Sequence, residues 1–192
     1  MVDAPAAKQG HFSNGGWRGN KNSPLEGGHR VPFFAVWPKK IRPGISHELV
    51  VNQDLLATLA SLVGTKVPAG QAMDSNNLLP LLTGNGTFRR RRAFIQQAGS
   101  RHEVMIRKMP WKLIMQSDPK RSRFEAKMLF NLVEDPHEDH NLLEEERYAE
   151  MTAQLRREYL SVVTSGRSTV IEPSRESQEE SGDPSPHLEE KR

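Results

Sequence analysis

Residues Arg18–Pro38 read R-G-N-K-N-S-P-L-E-G-G-H-R-V-P-F-F-A-V-W-P, and this stretch decides how the rest of the chain is understood. Its first half is a loop punctuated by Gly19, Gly27 and Gly28, carrying Lys21, Glu26, His29 and Arg30. Glycine tolerates positive φ and lets a backbone approach an anion closely. Its second half, Val31–Trp37, is almost wholly apolar and bounded by Pro32 and Pro38, which predicts a strand buried on both faces. A basic loop held against a buried strand can bring a lysine to a negative substrate. On spacing alone, a polar surface turn explains the same residues.

The order Arg-Gly-x-Lys-x-x-x-x-Glu-Gly-Gly-x-Arg-Val-Pro followed by Trp-Pro resembles the sulfatase family. Arg18, Gly19, Lys21, Glu26, Gly27, Gly28, Arg30, Val31, Pro32, Trp37 and Pro38 all fall on that pattern without a gap. The resemblance extends over roughly residues 13–160 and moves the reading from a surface turn to a functional loop. It implies an α/β fold: the end of the large mixed sheet of an alkaline-phosphatase-like sulfatase domain, then a small four-stranded antiparallel sheet with a packing helix. It also implies that Lys21 binds a sulfate oxygen and stabilises charge, the task of a flexible ammonium facing a tetrahedral oxyanion.

Downstream, Asn52–Val63 is the clearest helix. Leu55, Leu59 and Leu62, widened by Leu56 and Val63, form an apolar stripe expected to bury one face, and Gly64 is the stop. Leu78–Leu82 predicts a short helical turn. Arg89–Arg92 reads as a solvated patch before a strand. Short strands are expected at Ala93–Gln97, Glu103–Lys108, Trp111–Gln116 and Met128–Val133, with a hairpin at Met109-Pro110. Glu144–Val163 predicts an amphipathic helix, with Tyr148, Met151, Leu155, Tyr159 and Val162 in one stripe. The expected organisation is an irregular segment at 1–16, the end of the catalytic α/β domain at 17–88, a small α+β subdomain at 89–166 and a disordered acidic tail at 167–192.

Composition sets limits. The chain has 192 residues, 35% hydrophobic content, no cysteine and a net charge of +3. A disulfide framework and a thiolate metal site are therefore excluded. Residues 86–130 carry twelve basic and three acidic groups, and residues 131–192 seven basic and sixteen acidic. Such a basic middle favours anionic partners, but no nucleic-acid motif accompanies it, so nucleic acid is not expected. No run approaches a membrane span and no apolar leader core opens the sequence, so a membrane association is not expected either. Localisation stays open; intact relatives of the family it resembles are usually exported or lysosomal.

Sulfate-ester hydrolysis needs a nucleophile, cations for the sulfate oxygens and an acid for the leaving oxygen. The resemblance implies a formylglycine nucleophile, made in a Cys/Ser-x-Pro-x-Arg motif, and a calcium ion held by oxygen ligands. Neither the motif nor paired metal-binding aspartates occur in the 192 residues. Ser13-Asn14-Gly15 imitates a calcium turn, yet its register places it directly before the Arg-Gly, so Asn14 is read as a loop residue. Glu26 is expected to pair with Arg30 or cap a turn, and His29 to be a loop histidine. Asp135–His140, D-P-H-E-D-H, reads as a turn. The expected substrate is a sulfate ester or sulfated glycan, the expected partner a missing N-terminal half, and the other reading is a glycan-binding module without catalysis.

Overall fold

The computed structural model describes residues 9–172 apart from 13, 100 and 101. Its centre is a five-stranded sheet in the order β4-β3-β2-β1-β5, built from β1 (Arg91–Gln97), β2 (Glu103–Lys108), β3 (Trp111–Ser117), β4 (Phe124–Asn131) and β5 (Thr169–Ile171). Every pairing is antiparallel. Three short helices precede the sheet: α1 (Glu26–His29), α2 (Asp54–Leu62) and α3 (Leu79–Thr83). A 3-10 turn at Glu146–Tyr148 leads into α4 (Ala149–Thr164). No helix among the described residues is long and apolar enough to cross a membrane.

Alternation along the strands gives the sheet two different faces. One carries Ala93, Val104, Ile106, Leu113, Met115 and Leu129, and α4 covers it with Leu155 and Tyr159. Each fully buried Val, Leu, Ile or Met side chain of this set contributes about 1.5–3 kcal/mol. The stripe expected of α4 is therefore the face that packs. The other face carries Met105, Ile114 and Phe130, and Leu25 of the lysine loop packs there. That second face also receives Arg107 and Lys112, cross-strand partners in the β2–β3 hairpin.

Several expectations need correction. The sheet has five strands rather than four, because Thr169–Ile171 returns after α4 to pair with β1; residues 167–172 are thus ordered where a tail was expected, and 173–192 lie outside the described residues. The last expected strand, Met128–Val133, runs instead from Phe124 to Asn131. Val31–Trp37 is not a strand and is largely exposed, with Phe34 at 87%. It has no neighbouring strand among the described residues, so its backbone has no ladder to join.

The leucine stripe of α2 faces outward: Leu59 is 54% exposed, while Asp54 and Thr58 are the buried positions. Polar bonds explain this orientation. Asp54 Oδ1 accepts from Arg91 and, at 2.9 Å, from the Asn76 N–H, and its Oδ2 accepts from the Val51 N–H at 2.9 Å. Thr58 Oγ1 donates to the Asp54 carbonyl at 2.7 Å and accepts from the Leu78 N–H at 2.9 Å. Arg91 is accordingly buried, against the expectation of a wholly solvated arginine run. Its neighbours Arg89, Arg90 and Arg92 remain exposed. A second clasp joins Asp74 to Arg167 at 2.6 Å and to the Ser168 N–H at 2.9 Å, tying this region to β5.

Candidate functional site

Lys21 sits on an exposed turn with Asn22 at φ 73°. Among the described residues it has no hydrogen-bond or ion-pair partner. Everything around it is braced. Asn14 Nδ2 donates to the carbonyls of Trp17, at 2.5 Å, and Gly19, at 2.7 Å. The Gly27 N–H donates to the Arg18 carbonyl at 2.7 Å.

The glycines serve this bracing. A Cβ on Gly27 would lie 2.6–2.7 Å from the carbonyl oxygens of Trp17, Arg18 and Gly19, and one on Gly28 would lie 2.2 Å from that of Ser23. The close approach that the glycines permit is backbone to backbone, so the loop closes on itself. Gly19, at φ +84°, supplies the reversal that starts it.

Beneath the loop lies a buried ionic cluster. Lys112, on β3, is fully buried, with Nζ 3.0 Å from Glu26 Oε1 and 2.8 Å from Glu138 Oε1. Glu26 Oε2 faces Arg107 at 3.3 Å and Arg30 at 3.4 Å. Glu138 Oε2 accepts from the Glu26 N–H at 2.6 Å, and its main-chain carbonyl accepts from Arg18. The cross-strand cations Arg107 and Lys112 would repel each other; Glu26 and Glu138 neutralise them and in doing so fasten the loop to the sheet.

Electrostatics divide the cluster. Burial pushes the Glu26 carboxyl upward, but Lys112 and Arg107 outweigh it and hold the carboxyl below its ordinary value. Burial raises Glu138, and Lys112 offsets this only in part. His29, with Nε2 3.2 Å from Lys112 Nζ, is lowered to about 4 by burial and then by Lys112, so at neutral pH it is uncharged. One ammonium is thus shared between two carboxylates and an imidazole.

The loop has an outer clasp as well. Trp17 stacks on His137 at 4.7 Å between centroids, and the Arg30 guanidinium lies 3.9 Å from the centre of the Trp17 ring. His137 lies nearly parallel to the indole, at an interplanar angle of 20°. Asp135 accepts from the N–H groups of Asp139 at 3.0 Å and His140 at 2.8 Å, so D-P-H-E-D-H is a turn. No group of three or more His, Asp or Glu that could hold a metal exists among the described residues. Among the described residues, the oxygen-donor set that calcium needs is not assembled.

Of the residues singled out in the sequence, the structure brings Glu26, His29 and Arg30 together beneath the loop and leaves Lys21 exposed on top. Pairing of Glu26 with Arg30 is present, as one contact among several. Sequence reasoning missed Lys112, Arg107 and Glu138. The signal was available: in β2 and β3, Arg107 and Lys112 occupy the same alternate face as Met105 and Ile114, where a charge needs a partner.

Over residues 16–165 the chain matches the family described as N-sulphoglucosamine sulphohydrolase, C-terminal. It is 35% identical over 156 residues to arylsulfatase A of Bos taurus, covering 69% of this chain and 31% of that protein. It is 33% identical over 142 residues to an N-acetylgalactosamine-6-O-sulfatase of Bacteroides thetaiotaomicron, covering 69% of this chain and 27% of that protein. A solved structure from work on the metabolism of multiple glycosaminoglycans by Bacteroides thetaiotaomicron aligns with a TM-score of 0.69 at 30% identity, over 84% of this chain and 35% of that one. The chain spans about a third of the length of these relatives.

Proposed function

The chain belongs to the sulfatase family, in its C-terminal region, and from that premise we propose that it serves sulfuric ester hydrolysis by presenting Lys21 to a sulfate group. In this arylsulfatase-like reading, the Lys21 ammonium takes one sulfate oxygen and stabilises the negative charge that develops there as the ester bond breaks. The cluster of Glu26, Lys112 and Glu138 fixes the loop from below. The observation that supports the reading most is the contrast within the loop: every charged neighbour beneath it is paired, while Lys21 is exposed and unengaged.

The attacking group and the calcium ligands have no counterpart in the 192 residues. The chain alone therefore binds sulfate without turning it over, and catalysis requires residues from elsewhere. The substrate class is a sulfate ester, with a sulfated glycan as the natural form. The other reading, a sulfated-glycan-binding module without catalysis, draws on the excess of basic residues over 86–130.

Two assays decide. The isolated chain is expected to release no chromophore from an aryl sulfate; turnover above the uncatalysed rate overturns the claim of incompetence. On an immobilised sulfated glycan it is expected to be retained in a salt-sensitive way and to lose retention on Lys21→Ala. Retention that ignores Lys21 but falls with Arg89→Ala and Arg92→Ala supports the module instead.

A further inference from the structure

The cluster beneath the lysine loop contains one side chain whose ordinary range of charge change lies close to neutral pH, His29. Its side chain is 10% exposed. Nε2 lies 3.2 Å from Lys112 Nζ, and the ring also hydrogen-bonds to the backbone of Pro24. An ammonium only donates, so Nε2 of the neutral ring accepts from Lys112. Proline has no N–H, so the one N–H of the neutral imidazole donates to the Pro24 carbonyl. The uncharged ring therefore bridges strand β3 to buried Pro24, three residues after Lys21.

A proton breaks this bridge. The imidazolium has two donors and no acceptor, so its Nε2–H would face the donors of Lys112. The surrounding charges offer no compensation. On its own helix the ring faces Glu26 at 3.6 Å, but Glu26 already faces Arg30 from α1, Arg107 from β2 and Lys112 from β3. Glu138, from the turn before α4, is engaged by Lys112 and by the Glu26 N–H. Burial and then Lys112 accordingly favour the neutral ring, down to about pH 4. Resting on the reading of Lys21 as the sulfate-binding group, we propose that His29 is a positioning residue for Lys21. Neutral, it latches the loop to β3; protonated, it releases the loop, and Lys21 loses its fixed place.

The test follows amide hydrogen exchange of the full 192-residue chain between pH 7.5 and pH 5, corrected for intrinsic rates. The reporters are the N–H groups of Glu26, Gly27 and Gly28, bonded to Glu138, Arg18 and Leu25. Their protection is expected to lie below that of the β3 amides at every pH, the mark of a loop that opens without the sheet. It is expected to fall about thirtyfold over this range, the change that a value moving from about 4 latched to 6.5 released dictates. His29→Gln keeps one acceptor and donors on a side chain that takes up no proton, and it is expected to hold the loop and abolish the fall. A second arm compares the parent with Lys21→Ala on immobilised heparin, so that the difference isolates the lysine. That difference is expected to shrink at pH 5 in the parent and to stay constant in the His29→Gln background. A flat exchange profile in the parent overturns the proposal, as does protection equal to that of β3; neither reading needs the variant to fold. A fall that persists in folded His29→Gln overturns it too, and so does a loop that opens in acid while the Lys21 share of retention stays fixed. Retention that ignores Lys21 at pH 7.5 sinks the sulfate reading, and the exchange arm still decides whether His29 latches the loop.

Discussion

Lys112 and Glu138 meet at 2.8 Å with neither side chain reaching solvent, and Glu26 grips the same ammonium from the loop side at 3.0 Å. Two carboxylates competing for one buried cation make that cation hard to replace. Lys112→Met is expected to destabilise the chain by about 3–5 kcal/mol, because it strands buried negative charge. Adding Glu26→Gln should recover part of the loss, giving a clear coupling in a double-mutant cycle. Urea unfolding of the four proteins measures it; strict additivity would show that the pair is energetically independent.

Gly27 and Gly44 make a matched comparison. A Cβ at Gly27 meets three carbonyl oxygens at 2.6–2.7 Å, whereas one at Gly44 meets nothing within 4 Å. Gly27→Ala is expected to cost about 1–3 kcal/mol through overpacking against backbone that cannot rotate away. Gly44→Ala should stay within about 0.5 kcal/mol of the parent. Thermal unfolding compares them directly.

Acid stability should depend on His29. Its folded value is lowered to about 4 from 6.5, so the unfolded chain binds a proton first as pH falls. Stability is then fully present above pH 6.5 and is lost as pH falls from there toward about 4, by roughly 3 kcal/mol. Glu138, raised by burial, works in the opposite sense, since the folded form takes up its proton first. Comparing the parent with His29→Leu isolates the histidine: the parent should lose more stability between pH 6.5 and 4.5. Identical pH profiles would place the imidazole in water.

Lys21→Ala should be silent in stability, within about 0.5 kcal/mol, because the side chain is exposed and unpartnered. Retention on a sulfated matrix should nevertheless fall, and Lys21→Arg should restore part of it by keeping the charge. A stability loss above 1 kcal/mol would assign Lys21 to the scaffold.

Strand alternation made the sheet legible from E-V-M-I-R and W-K-L-I-M, and the β2 bounds agree with expectation residue for residue. Periodicity failed on direction. It located the leucine face of α2 but could not tell which side faces the interior, since that is set by Asp54 reaching Arg91 across 37 residues. The same limit hid the ionic cluster, because Glu26 finds Lys112 across a sequence separation of 86 residues. Strand β5 escaped because three residues, Thr169–Ile171, sit within a polar run and gain their order from the β1 edge. The role expected of Lys21 rests on resemblance alone; nothing in its local spacing separates it from an ordinary turn lysine.

The fastening of Glu26 to Lys112 and Glu138 also bears on biosynthesis. A chain made from its N-terminus has finished the lysine loop long before residues 112 and 138 leave the ribosome tunnel. The loop must wait, unlatched, until most of the sheet has emerged, and a ribosome that stalls before Arg107 releases a loop with none of these anchors beneath it.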